Sequence, residues 1–266
     1  MLYNKVSQKG DTFMILYPDY MPAYTISNED QRWATRAVSN AKHVLTVAGS
    51  GDQALFYKLS GATIVDTFDI TPNAGAIQDI KYVAIKNISR TEYKNLLVNL
   101  YGSRNVLSVP QMQDLEPLLT KKSRATIKRN NKIGMFSAGL DANEYPENIP
   151  TDEEYENLRT ILTKPFNFIQ CGLDELSFKL YRKYDLINLS NIFDYCYDRN
   201  KQIEILGQLS QYLKIGGRIV YLPQMQKFNY EDVYITENSA VQLVFETVKQ
   251  SVDKKSKMIL FQRRTR

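Results

Sequence analysis

The sequence predicts an α/β fold with a mostly parallel sheet that ends in an antiparallel hairpin, and three observations predict it. Apolar, β-branched runs alternate with helical patterns along much of the chain. The first such run, Val44-Leu-Thr-Val47, ends in the turn Ala48-Gly-Ser-Gly51, which opens directly into a helical pattern. Two strand-like runs, Ala240 to Val248 and Lys257 to Gln262, follow one another with little chain between them.

Each element has its own signal. Ser27 or Asn28 caps a short helix, EDQRWATRAV. The glycine turn leads into a helix over Asp52 to Leu59, then a strand over Ala62 to Ile70. Pro72 fits the first turn of a helix that runs through IQDIKYVAIKNI. Helical pattern continues over Arg90 to Leu100 and Gln111 to about Lys128. Strands return at Phe166 to Cys171 and Tyr184 to Leu189; a helix over Arg199 to Leu213, ended by Gly216-Gly217, precedes a strand over Arg218 to Leu222. The chain reads as one domain over 1–266, with an N-terminal lid (1–40) and a helical insertion in the middle, about 103–165.

Composition narrows the chemistry. With 43% hydrophobic and 24% charged residues the 266-residue chain is ordinary globular protein. It shows neither a signal peptide nor an apolar run long enough to span a bilayer, so a cytoplasmic location is expected. Two cysteines, Cys171 and Cys196, and one histidine, His43, leave too few ligands for a Cys/His zinc site and no thiol framework, so no metal is expected. His43 begins an apolar strand, which suits a structural histidine better than an acid–base one. Any chemistry therefore leans on a cofactor. The net charge of +5 is too modest to predict nucleic-acid binding; the one basic run, Lys121 to Lys132, reads as a solvated helix face, with weak contact to an anionic surface as the minor alternative.

The glycine turn carries the argument. Gly49 and Gly51 allow close approach of a ligand to backbone, and the amides of the following helix favour an anionic or carboxylate group. Asp69, 18 residues beyond Gly51 at the end of the second strand, is placed to accept hydrogen bonds from both ribose hydroxyls of an adenosine. Capping of the next helix is the alternative for Asp69. Gly49 to Ala54 also satisfies the GxGxxA dinucleotide pattern, so a nicotinamide or flavin cofactor stays open. Asp52 argues against a pyrophosphate there and suits the cationic end of S-adenosylmethionine. The segment YDLINLSNIFDY, then a helix and LKIGGRIVYLP, resembles the fourth and fifth strands of class I methyltransferases, and the final strand pair suits that family's reversed last hairpin. The expected fold is thus the Rossmann-like class I methyltransferase fold.

A narrower resemblance is to the DUF3419 or BtaA-like family, carried by Tyr24, Glu29, Asp30, Gly51, Asp69, Pro72 and Lys81 and by LSNIFDY, Leu189 to Tyr195. Asn28 stands where that family has tryptophan, and Ile70-Thr71 where it has Leu-Asn. The resemblance implies transfer of the 3-amino-3-carboxypropyl group of S-adenosylmethionine to a lipid, with Tyr24 and Glu29 closing over the amino-acid moiety.

The candidate cofactor-binding residues are therefore Tyr24, Glu29, Gly49, Ser50, Gly51, Asp69, Ile70, Asp174, Ser190 and Asn191. Asp174 is placed to meet the adenine amino group or to cap a helix. Ser190 and Asn191 follow the fourth strand, where ligands meet strand carboxyl ends. Asp194 or Glu29 is a candidate base. The expected function is methyl or aminocarboxypropyl transfer to a small-molecule or lipid acceptor, with at most peripheral membrane contact; a non-catalytic S-adenosylmethionine binder and an NAD(P)-dependent oxidoreductase are the rivals.

Overall fold

The computed structural model describes residues 18–38, 40–132, 134–136, 146–196, 198–223, 241–250 and 255–263. The part of the expected lid before Pro18, residues 137–145 of the expected insertion, and Ala240 lie outside the described residues. The described elements run α1 (Gln31–Ala37), β1 (His43–Val47), α2 (Asp52–Leu59), β2 (Ile64–Asp69), α3 (Pro72–Asn87), α4 (Arg90–Leu100), α5 (Pro110–Leu115), α6 (Lys121–Asn130), α7 (Asp152–Ile161) and β3 (Asn167–Gln170). They continue with α8 (Leu176–Lys179), β4 (Tyr184–Asn188), α9 (Arg199–Ser210), β5 (Leu213–Tyr221), β6 (Val241–Gln250) and β7 (Lys255–Arg263).

The strands form one seven-stranded sheet in the order β3-β2-β1-β4-β5-β7-β6. β2 pairs parallel with β3 and β4 with β5, while β7 runs antiparallel to both β5 and β6. This is the Rossmann-like, mostly parallel sheet with an antiparallel C-terminal hairpin that the alternation predicts.

Three sequence expectations are corrected. The cap of α1 is Asp30, whose carboxylate accepts from Trp33 N at 2.9 Å. Ser27 is occupied elsewhere, its hydroxyl accepting from Glu29 N and Gln31 Nε2. The expected helix from Gln111 is broken at Glu116–Leu118, because Pro117 supplies no amide to continue it. Gly216-Gly217 do not end α9; they lie inside β5, where its register with β4 shifts, and a Cβ on Gly217 would sit 3.0 Å from Tyr184 O.

By contact the chain divides into two compact units, one of residues 17–42 and 46–172, the other including 43–45 and 173–266. In the first, α3 is buried on nearly every face: it packs on β2 and β3 and is covered by α4, α5, α6 and α7. Met112, Ile127, Tyr155 and Leu158, from the segment read as an insertion, belong to the same apolar cluster as Ile77 and Ile80 of α3. Tyr155 anchors α7, its hydroxyl donating to Ala84 O (3.3 Å) and Ile88 O (3.1 Å). Gly75 makes the α3–β3 approach possible, since a Cβ there would lie 2.5 Å from the Phe168 ring.

The second unit is built on β4, β5 and β7, with Ile187, Ile219, Val220 and Phe261 fully buried. Among the described residues, no helix is long and apolar enough to cross a membrane.

Candidate functional site

The glycine turn connects β1 to α2, and its geometry explains its glycines. Gly49 and Gly51 have φ of +48° and +85°, backbone that L side chains rarely adopt. A Cβ on Gly51 would also meet Gln78 Cα at 3.2 Å, whereas one on Gly49 meets nothing within 4 Å. Gly49 is thus the open side of the turn and Gly51 its packed side.

Asp69 ends β2 beside this turn. Its Oδ2 accepts from Gly49 N at 3.0 Å and its Oδ1 from Thr71 N at 3.1 Å. The helix cap of α3 is Thr71, whose hydroxyl accepts from Asn73 N, so Asp69 does not cap it. Burial pushes the Asp69 carboxyl up to about 6, against the opposing pull of the Thr71, Gly49 and Ile70 amides. It is therefore ionised at neutral pH. A carboxylate has about four lone-pair positions, so those facing the Gly49, Thr71 and Ile70 amides leave room for one further donor, such as a ribose hydroxyl.

The rest of the turn faces inward. Ser50 is buried and donates to Asp52 Oδ2 at 2.8 Å, which also accepts from Ser27 N at 2.8 Å. The other carboxylate oxygen of Asp52 bonds Lys81 Nζ, in an ion pair whose side chains are each 1% exposed. Burial lowers the Lys81 pKa, and Asp52 opposes that shift. One expectation changes: the charge of Asp52 is balanced within the protein, so it does not by itself repel a phosphate. The amides of Gly49, Gly51 and Asp52 have internal acceptors, while the first turn of α2 has no side-chain cap.

The carboxylate that does sit against the first turn of α2 is Glu29. It is 8% exposed, and its Oε2 accepts from Gln53 Nε2 (2.7 Å) and Gln31 Nε2 (3.3 Å). The segment carrying it is tied down by buried amides. Asn148 donates to Ser27 O and accepts from Gln31 N, Asn73 donates to Met21 O, and Asn130 donates to Asp19 O. Tyr24 lies on this segment and is 39% exposed. Tyr24, Glu29, Gly49, Ser50, Gly51, Asp69 and Ile70 all belong to the first unit.

Asp174, Ser190 and Asn191 belong to the second unit. Asp174 is exposed, and α8 is capped by Glu175 without a side-chain bond, so Asp174 is not its cap. Ser190 follows β4 with φ of +50°, unusual for a non-glycine residue. Two bonds hold it there: its N–H donates to Asn188 Oδ1 (2.8 Å) and its carbonyl accepts from Leu222 N (2.8 Å). Asn191 stands at the N-cap position of the 3-10 turn Ile192–Tyr195, with no side-chain bond to it. Asp194 is 1% exposed and accepts a hydrogen bond from Tyr221 OH.

Sequence reading missed the network of Asp52, Lys81, Gln53 and Asn148, joined through Ser27, Gln31 and Glu29, as a structural unit. The available signal was polar residues at core-facing positions of apolar helices, as in Ile80-Lys-Tyr-Val-Ala84. Among the described residues no group of three His, Cys, Asp or Glu side chains is placed to hold a metal ion.

No family model matches the chain, and no curated protein does. Solved structures similar to it include the N-methyltransferase NodS from Bradyrhizobium japonicum WM9, at 10% identity and TM-score 0.39, covering 88% of this chain and 92% of that one. Others are the magnesium protoporphyrin IX methyltransferase ChlM from Synechocystis PCC 6803 with bound SAM (9%, TM-score 0.41, 88% and 74%) and an rRNA methylase from Streptococcus thermophilus (8%, TM-score 0.39, 88% and 92%). At such identities and TM-scores nothing about chemistry passes from those proteins to this chain.

Proposed function

We propose that the chain is an S-adenosylmethionine-dependent transferase, moving a methyl or a 3-amino-3-carboxypropyl group to a small-molecule or lipid acceptor. Asp69 supports this reading best: an ionised carboxylate at the carboxyl end of β2, clamped to the glycine turn and with acceptor capacity for a ribose hydroxyl. Gly49 would admit the nucleoside against bare backbone, with Ser50 and Gly51 shaping the turn and Ile70 flanking the adenosine. Glu29, buried against the first turn of α2, suits a cationic ammonium or sulfonium and opposes a pyrophosphate. That contrast favours S-adenosylmethionine over a nicotinamide dinucleotide. Tyr24 would cover the amino-acid end, Asp174 the adenine amino group, and Ser190 with Asn191 the methionine end or the acceptor.

When bound, S-adenosylmethionine supplies a carbon made electrophilic by the adjacent sulfonium. The protein then has to align the acceptor with that carbon and exclude water. Asp194 is committed to Tyr221 and Glu29 to two glutamine amides, so neither is assigned as a base. The finer, BtaA-like reading rests on its quoted residues alone; two of these, Asp30 and Lys81, serve here as a helix cap and an ion-pair partner.

The nucleoside product tests the reading. Turnover with an acceptor panel yields S-adenosylhomocysteine for methyl transfer and 5′-methylthioadenosine for aminocarboxypropyl transfer. Binding without either product would leave a non-catalytic binder; binding of NADH alone would point to an oxidoreductase.

A further inference from the structure

The second unit carries an exposed apolar set that its own packing does not explain. Phe178 on α8, Tyr181 just after it and Ile215 in β5 are 83%, 64% and 84% exposed, while Leu180 between the first two is buried. Surface residues this apolar, standing together, mark an interaction face.

The two segments that carry them are joined at one edge of the sheet, where β4 and β5 begin. Ser177 Oγ donates to Gln208 Oε1 (3.0 Å), Lys183 Nζ to Gln211 O, and Tyr184 N to Tyr212 O (2.8 Å). Tyr184 is registered with Leu213, and Lys214 bridges to Asp185 (3.0 Å). Phe178, Tyr181 and Ile215 therefore share the amino-terminal edge of β4 and β5.

Cations surround them. Residues 175–185 and 211–218 hold Lys179, Arg182, Lys183, Lys214 and Arg218 against only Glu175 and Asp185. Each of those two acids is already bridged, by Lys179 and Lys214 respectively. The edge is thus apolar at its tips and positive around them. That is the arrangement in which aromatic and aliphatic side chains enter the interfacial layer of a bilayer while lysine and arginine heads meet anionic lipid. A single nucleic-acid strand fits less well: Ile215 offers no face for stacking, and the Arg182 guanidinium already lies 4.6 Å from the Tyr181 ring centroid.

We propose that this edge docks the protein on an anionic lipid surface. It is a different place from the basic run Lys121–Lys132, whose helix α6 buries Ser123, Thr126, Ile127 and Asn130 within the first unit. Ser190 follows the opposite, carboxyl end of β4. Across a five-residue strand that is a separation of roughly 17 Å or more. Docking by this edge would hold the protein at a membrane while Ser190 and Asn191 face away from it, so an acceptor meeting them would arrive from water.

Sedimentation with phosphatidylcholine vesicles, with or without about a third phosphatidylglycerol, tests this on the full chain. Binding is expected only to the anionic vesicles, and at least ~10-fold weaker when salt is raised well above physiological strength. The Phe178→Ser/Tyr181→Ser/Ile215→Ser variant should lose most of the binding with its thermal unfolding unchanged, and Lys179→Glu/Lys183→Glu should lose it independently. Absence of vesicle binding overturns the proposal. So does binding that both variants retain, equal binding to neutral vesicles, or retention of single-stranded RNA in place of anionic vesicles.

Discussion

Replacing Asp69 with asparagine separates the stability of the fold from the proposed work of the site. Asp69 titrates near 6 in the folded protein against an ordinary value of 3.8, with burial as the main cause. The folded state therefore holds a proton that the unfolded chain has already lost. The cost of the buried charge is absent below about 3.8 and fully present above about 6. A displacement of about two pKa units corresponds to ~3 kcal/mol, and partial exposure of the carboxylate reduces the expected value to ~1–2 kcal/mol. An asparagine side chain at this position cannot ionise but retains an acceptor for one of the Gly49 and Thr71 amides. In urea unfolding, Asp69→Asn should be ~1–2 kcal/mol more stable relative to wild type at about pH 8 than at about pH 4.5. Adenosyl ligands should meanwhile bind the variant weakly at either pH, and wild type should lose up to ~10-fold in affinity per pH unit below about 6. A stability difference equal at both pH values, or larger at low pH, would refute the assignment of a desolvated carboxylate.

Other perturbations have equally definite outcomes. Lys81→Met leaves Asp52 buried without its cation and should cost ~3–5 kcal/mol in urea unfolding, part of which Asp52→Asn in the same chain restores; a cost under ~1 kcal/mol would contradict the buried pair. Tyr93→Phe removes a buried hydroxyl that has no hydrogen-bond partner and should leave stability unchanged or raise it by ~1 kcal/mol, measured the same way. Ser190→Gly relieves backbone at φ +50° and should raise the melting temperature slightly, whereas Ser190→Val, branched at Cβ, should lower it.

Much of the fold was legible because its signals are local. The apolar run at Val44, the glycine turn and the start of the next helix at Asp52 all fall where the pattern places them. Thr71 took the cap beside Pro72 because it begins α3 directly, while Asp69 points back to Gly49. What was not legible depends on residues far apart in sequence. Nothing near Asp52 shows that Lys81 will neutralise it, and nothing near Ser27 shows that Asn148 will hold its carbonyl. Gly216-Gly217 resemble a helix stop, yet they serve a register shift against Tyr184, which only the pairing of β4 with β5 reveals. Tyr24 and Glu29 share one segment, but Glu29 is buried by Gln53 across α2, a contact of sequence separation 24.

The most direct test of the central claim is calorimetric titration of the full chain with S-adenosylmethionine, S-adenosylhomocysteine and NADH, alongside Asp69→Ala. The account predicts ~micromolar binding of the first two ligands, no binding of NADH, and a loss of ~1–3 kcal/mol in the variant. Binding of NADH alone, or adenosyl-ligand affinity unchanged by Asp69→Ala, would contradict it.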